Sequence, residues 1–356
     1  MTSGFRAHGV RSGALSAIVL LAAAGLAWPG AAAQAATGHP DAAAARVVRP
    51  PGRAWGSFAY DPRLHELVLF GGDARGTAHP GPFRGTWTRS GATWIKRHPA
   101  RSPSARTGAA MVYDGATGQL LLFGGSDRPL FDPNGRFNAQ TWVWTGRTWR
   151  QLHPAASPSA RQDANMVYDA ARREVILYGG FDGGGDSDTW AWNGASWTQL
   201  DPATSPGPLW KPSMAYDSAT RRVILFGGNT NTGVSNQTWS WDGTTWTQLH
   251  PAVHPRENAA GWQAAYDPAS KQLLLVGQVF GVIHNPRNEI WSWTGTTWRK
   301  LRFTATPGNR TGGSMTYDGV IRKIVLAGGT EGCPSCPHPS YPASMWLWNG
   351  KTWRYW

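Results

Sequence analysis

The sequence predicts an all-β protein, a six-bladed β-propeller with four antiparallel strands in each blade. Three observations carry this. A Tyr-Asp pair recurs at Tyr60, Tyr113, Tyr168, Tyr216, Tyr266 and Tyr317, at intervals of 53, 55, 48, 50 and 51 residues. Eleven residues after each Tyr stands a Gly (71, 124, 179, 227, 277, 328), followed by a second Gly in every copy but the fifth, which has Gln278. Two Trp residues seven apart then close each copy: 87/94, 142/149, 190/197, 239/246, 291/298 and 346/353. A fixed period near 50 residues marks a repeat architecture in which each unit is one small sheet.

Within a copy the strands, A to D, follow in order. In the second copy Thr107 to Tyr113 is a run of small and apolar residues that Asp114 ends in a turn. Gln119 to Phe123 is a short apolar run stopped by Gly124-Gly125. Thr141 to Trp144 and Thr148 to Leu152 flank Thr145-Gly146, and Asn193-Gly194, Asp242-Gly243 and Asn349-Gly350 hold the same place elsewhere. These dipeptides signal hairpins. A two-residue turn there sets Trp144 opposite Arg147 and Trp142 opposite Trp149, with all three indoles on one face. The middle Trp is replaced by Arg89 in the first copy. Three indoles on one small sheet need cover, which adjacent blades supply.

The composition agrees. The 356 residues include 44 Gly, 26 Pro and 22 Trp, with 15% charged and 41% hydrophobic residues. That is too apolar and aromatic for disorder and too poor in helix-favouring charge for a helical protein. Residues 1–35 read as a secretory signal peptide: Arg6 and Arg11, an apolar stretch from Ala14 to Trp28, and Ala33-Gln34-Ala35 as the cleavage site. The stretch is too short for a membrane span. Residues 36–52 form an Ala-rich linker and 53–356 the propeller; the protein is expected to be secreted and monomeric. The net charge of +13 falls to +11 without the leader. Its basic residues are scattered and the chain is exported, so an anionic cell-wall polymer or a membrane surface is the expected attraction rather than nucleic acid.

Length variation points to a binding face. Only the Gly-to-Trp (B–C) connection changes, at 16, 18, 11, 12, 14 and 18 residues. B–C and D–A loops emerge together, so this rim is the expected ligand side, a glycan or protein being its occupant. Seven residues before each Tyr stand Arg53, Arg106, Arg161, Leu209, Ala259 and Arg310. The four arginines, with Trp210, Lys211 and Trp262 nearby, form a candidate ring for a carboxylate, phosphate or sugar. The alternative is that each Arg satisfies loop carbonyls or a carboxylate such as Asp163. Asp182, Asp186 and Asp188 are a weak Ca²⁺ candidate, lacking EF-hand spacing. Cys333 and Cys336 are a candidate disulfide in an exported chain. No cofactor is expected, and no P-loop, nucleophile elbow or HExxH occurs.

The block Ser104-Ala105-Arg106, Met111-Val112-Tyr113-Asp114, Leu121-Leu122-Phe123-Gly124-Gly125, Trp142-Val143-Trp144 and Trp149 resembles a kelch repeat of the galactose oxidase central-domain class, over residues 53–356. The resemblance implies the propeller fold; propellers host unrelated activities. Galactose oxidase holds copper with two Tyr and two His and cross-links a Tyr to a Cys. This chain has no Tyr-Tyr-His stretch and keeps both Cys in one loop, so no catalytic residue carries over. A binding or scaffold module is the leading expectation. A cofactor-independent sugar-active enzyme, similar to the mutarotases of this class, is the rival at the same mouth.

Overall fold

The computed structural model describes residues 49–74, 81–128, 135–256, 259–279, 287–303, 305–308, 310–331 and 340–356, with the backbone alone at 259, 260, 279 and 287. The expected leader and most of the linker, and the Cys333–Cys336 pair, lie outside the described residues.

In each copy the turn from strand A to strand B is built by the Asp that ends strand A. The buried Asp114 takes the N–H of Ala116 at 2.9 Å and the hydroxyl of Thr117 at 2.7 Å. Asp61, Asp169, Asp217, Asp267 and Asp318 cap their A–B turns in the same way. The residue just before strand B is left-handed in every blade: His65, Gly118, Arg173, Arg221, Lys271 and Arg322. The turn brings strand B back antiparallel, and strands C and D add outward in the order A–B–C–D in all six sheets.

The A strands are Ala54–Asp61, Ala110–Asp114, Asn165–Asp169, Ser213–Asp217, Ala259–Asp267 and Arg310–Asp318. Each adjoins the next, and the sixth adjoins the first, so the ring is closed. Among the described residues no strand is exchanged between the first and sixth sheets, each of which is built from its own copy. Side chains three residues before the Tyr stitch the A strands together. Ser57 donates to the Ala109 carbonyl, Asn165 to Pro212, Ser213 to Trp262 and Ser314 to Gly56, the last across the ring closure.

The indoles fill the spaces between blades. Six apolar clusters occupy the six interfaces; one joins Ala59, Val68 and Phe70 of blade one to Trp142, Trp144 and Trp149 of blade two, and another joins Val325 and Met345 of blade six to Trp87 and Trp94 of blade one. The D-strand indoles also make a polar staple. Trp149, Trp197, Trp246 and Trp298 donate Nε1–H at 2.9–3.0 Å to Thr86, Thr141, Thr189 and Thr238, each at the start of strand C in the preceding blade. Ile290 stands at that place in blade five, and the buried Nε1 of Trp353 has no partner among the described residues.

The C–D hairpin corrects the expected register. Trp144 pairs with Trp149, and Trp142 with Gln151. The loop has four residues because Thr145 Oγ1 accepts the Thr148 N–H at 3.2 Å while Thr145 N–H donates to the Thr148 carbonyl at 3.0 Å. Asn193 caps the next hairpin similarly, at 3.0 Å from the Ala195 and Ser196 amides. The slip is two residues, so the three indoles still share a face. Trp144 and Trp149 meet as tilted rings 5.3 Å apart. In blade one the replacing Arg89 is buried, donates to Met345 Sδ and lies 3.5 Å over the Trp356 ring, filling the closing interface.

Candidate functional site

The four predicted arginines are buried staples. Arg53, Arg106, Arg161 and Arg310 are between 1% and 6% exposed. Each donates from Nη1 to the carbonyl of the first Gly of its own blade: Gly71 at 2.8 Å, Gly124 at 2.9 Å, Gly179 at 3.1 Å and Gly328 at 3.2 Å. The second Gly then donates its N–H to the arginine-position carbonyl of the following blade, Gly72 to Arg106, Gly125 to Arg161, Gly180 to Leu209 and Gly329 to Arg53. Desolvation lowers the Arg53 and Arg106 guanidinium pKa to about 10, leaving both cations at neutral pH. The remaining donors reach the start of strand C: Arg106 meets Gln140 at 2.7 Å, and Arg310 meets the Ser344 hydroxyl at 2.6 Å. Gln140 in turn accepts from Trp142 Nε1 at 3.1 Å. The Arg-to-carbonyl alternative seen in the sequence describes this geometry; the arginines do not converge on one another.

The acidic loop follows the same plan. Asp188 receives Arg161 at 2.5 and 2.9 Å and Trp190 Nε1 at 2.6 Å. Burial alone raises its carboxyl, but the Arg161 hydrogen bonds and charge outweigh this and hold it below the usual range. Asp186 lies 3.5 Å from Arg161 Nε; burial chiefly, with Asp182 and Asp188 adding repulsion, pushes its carboxyl up to about 6. Among the described residues no three His, Cys, Asp or Glu side chains group as metal ligands.

What converges on the axis is the position two residues after each arginine or its counterpart, Leu209 and Ala259 included. Trp55, Gly108, Asp163, Lys211, Gly261 and Gly312 all have φ between 53° and 69°. Gly108 donates its N–H to the Trp55 carbonyl, Asp163 to Gly108 and Lys211 to Asp163, at 2.7–3.0 Å, forming half a belt around the mouth. Two of the three glycines make room for side chains of this group, and Gly261 makes room for Thr311. A Cβ on Gly312 would lie 2.5 Å from Trp55 Nε1, and one on Gly108 would lie 2.7 Å from Asp163 Oδ1. Lys211 Nζ is 3.7 Å from Asp163 Oδ2 and 5.4 Å from the Trp55 ring. Burial raises the Asp163 carboxyl, with Lys211 opposing; it lowers the Lys211 ammonium, with Asp163 opposing.

Beside this triad runs an aromatic row. Phe137 meets Phe181 edge-on at 5.9 Å, and Phe181 meets Trp210 at 5.3 Å, all three rings half-buried on the B–C/D–A face. Trp210 and Lys211 are successive and serve different features, one the row and the other the axis. Trp262 belongs to the core: it is buried, packs edge-on to Phe226 at 5.7 Å and occupies the space that Gly277 leaves. Below the belt, an axial cavity of about 470 Å³ extends to the Tyr ring and Pro62. Its walls are the A strands, each the innermost of its own sheet.

Trp55, Phe137 and Phe181 were missed in the sequence. The signal for Trp55 was there, a residue two after each arginine that is Gly in half the copies. Comparison with family models gives no match to this chain, and comparison with curated proteins gives none either.

Proposed function

We propose that this chain is an exported binding module of the kelch type, which holds a glycan or a protein loop on its B–C/D–A face. One observation carries the reading. Trp55, Asp163 and Lys211 occupy left-handed backbone positions that the other three blades fill with Gly. Such a conformation costs a non-Gly residue about 1 kcal/mol, and strain of this kind concentrates at functional sites. The side chains retained at this cost are an indole, a carboxylate and an ammonium at one mouth, next to the Phe137–Phe181–Trp210 row. Flat rings suit sugar faces or apolar side chains, and the ion pair suits hydroxyls or a peptide amide.

A glycan array followed by fluorescence titration tests this. A bound oligosaccharide should lose about tenfold in affinity in Trp210→Ala, the size of one aromatic contact. Unchanged affinity in Trp210→Ala and Lys211→Ala overturns the site. The second reading, a cofactor-independent sugar-active enzyme, is favoured by the raised Asp163 carboxyl beside the lowered Lys211 ammonium, an acid–base pair at the mouth. Turnover of the bound sugar that disappears in Asp163→Asn would establish it over simple binding.

A further inference from the structure

The outermost strands of the six blades are equivalent in structure but not in charge. The residue after the D-strand Trp is Arg150, Arg299 and Arg354 in blades two, five and six, and Thr198 and Thr247 in blades three and four. Lys96 lies on strand D of blade one, with Arg101 just beyond it, and Arg302 follows strand D of blade five. All six cations are exposed, and none has a carboxylate within ion-pair distance among the described residues. Arg97 and Lys300, in the same strands, are by contrast neutralised by Glu66 and Glu289. In blades three and four the D strands carry no cation, and Asp201 follows that of blade three.

Ring closure turns this into one patch. Blades five, six, one and two are consecutive around the closed ring, although their cations lie at opposite ends of the sequence. Arg101 is fixed against the next blade: its carbonyl accepts the Trp149 N–H at 3.1 Å, one residue from Arg150, and its own N–H donates to Thr148 Oγ1 at 3.1 Å. Cations on an exposed sheet edge can serve simply to block edge-to-edge pairing. Here the Thr- and Gln-bearing edges of blades three and four do without them, so the edge itself does not demand the charge.

We propose that this outer arc of blades five, six, one and two is a docking surface for a linear polyanionic polysaccharide, one bearing repeated carboxylates or phosphodiesters. The site is distinct from the mouth and stands without it. Charge sign selects the partner, and curvature selects its form. A body of this size has a radius of gyration of about 20 Å and an outer radius of about 25 Å, so a flat bilayer meets a convex arc over only a small part of its length. Duplex DNA, with a persistence length near 50 nm, bends around such a radius only at high cost. A flexible chain follows the arc and reaches every cation.

The test uses polygalacturonate as the probe, with dextran as the neutral control and phosphatidylglycerol vesicles and a DNA duplex as comparators. The quadruple variant Arg101→Gln/Arg150→Gln/Arg299→Gln/Arg354→Gln is set against a charge-matched variant of the A–B turns, Arg173→Gln/Arg221→Gln/Lys271→Gln/Arg322→Gln. Each lost contact lowers affinity about fivefold at about 0.1 M salt, and four lower it several hundredfold. The arc variant should show that loss with a shallower salt dependence, while the turn variant binds as wild type. If the arc variant is unfolded, Arg150→Gln and Arg354→Gln singly should each give the fivefold loss. Absence of polymer binding, equal losses in the two quadruple variants, or tighter retention on vesicles or duplex would each overturn the proposal.

Discussion

Replacing Gly124 by Ala probes the junction on which the ring depends. Gly124 has φ +74°, and a Cβ there would sit 2.5 Å from the carbonyl oxygen of Arg161 in the next blade. That contact is with backbone, so a blade must retreat rather than a side chain rotate. Two hydrogen bonds straddle the contact, Arg106 Nη1 to the Gly124 carbonyl at 2.9 Å and Gly125 N–H to the Arg161 carbonyl at 2.8 Å. The left-handed backbone costs about 1 kcal/mol, and weakening a buried charge-assisted bond with its neighbour costs about 2–4 kcal/mol more. The expected destabilisation is therefore about 3–5 kcal/mol, a large share of a domain's stability. Gly91→Ala is the control: its φ is +57°, but nothing lies within 4 Å of the new Cβ, so only the strain of about 1 kcal/mol remains. Denaturant unfolding followed by tryptophan fluorescence measures both. Equal shifts in the two variants would show that blade proximity does not demand the glycine, and the staple argument would fail.

Thr141→Val removes the acceptor of Trp197 Nε1 at nearly constant volume; leaving that buried donor unmade should cost about 1–3 kcal/mol by the same unfolding assay. Arg106→Ala should lower stability by about 3–5 kcal/mol through its orphaned carbonyl and Gln140 partners, whereas a change in ligand affinity at unchanged stability would return this residue to the mouth. Asp186 adds a pH dependence. Its folded pKa, about 6, lies above the roughly 3.9 of an unfolded Asp. The folded state thus binds the proton more tightly, and the resulting stability is complete below pH 4 and lost as pH rises through 6. Allowing for solvent screening this amounts to about 1–2 kcal/mol. Asp186→Asn should flatten that slope and raise the unfolding midpoint at pH 8; an unaltered slope would refute the assignment.

Much of the fold was legible because its determinants are local or strictly repeated. The Tyr-Asp, Gly-Gly and paired Trp each do one job in a blade, turn capping, blade contact and interface filling, and each recurs at fixed spacing. The C–D register was misjudged by two residues because Thr145 and its counterparts close the loop with side-chain hydrogen bonds, which the hairpin dipeptide does not reveal. The arginines were visible as a series, but their partners were not. Whether a guanidinium points at a ligand or at Gly71, eighteen residues away, depends on how strand B returns.

Repetition in the chain therefore determined the number of blades, the four strands of each and the placing of indoles between them, since period and alternation act within a few residues. The mouth and the basic arc arose only in three dimensions. Trp55, Asp163 and Lys211 lie in three different blades and meet because the belt of left-handed residues turns their side chains to one axis. Arg354 and Lys96 become neighbours in one arc because blade six docks on blade one. Contacts of that kind are set by ring geometry, and no local pattern encodes which distant residues a closed circle will bring together.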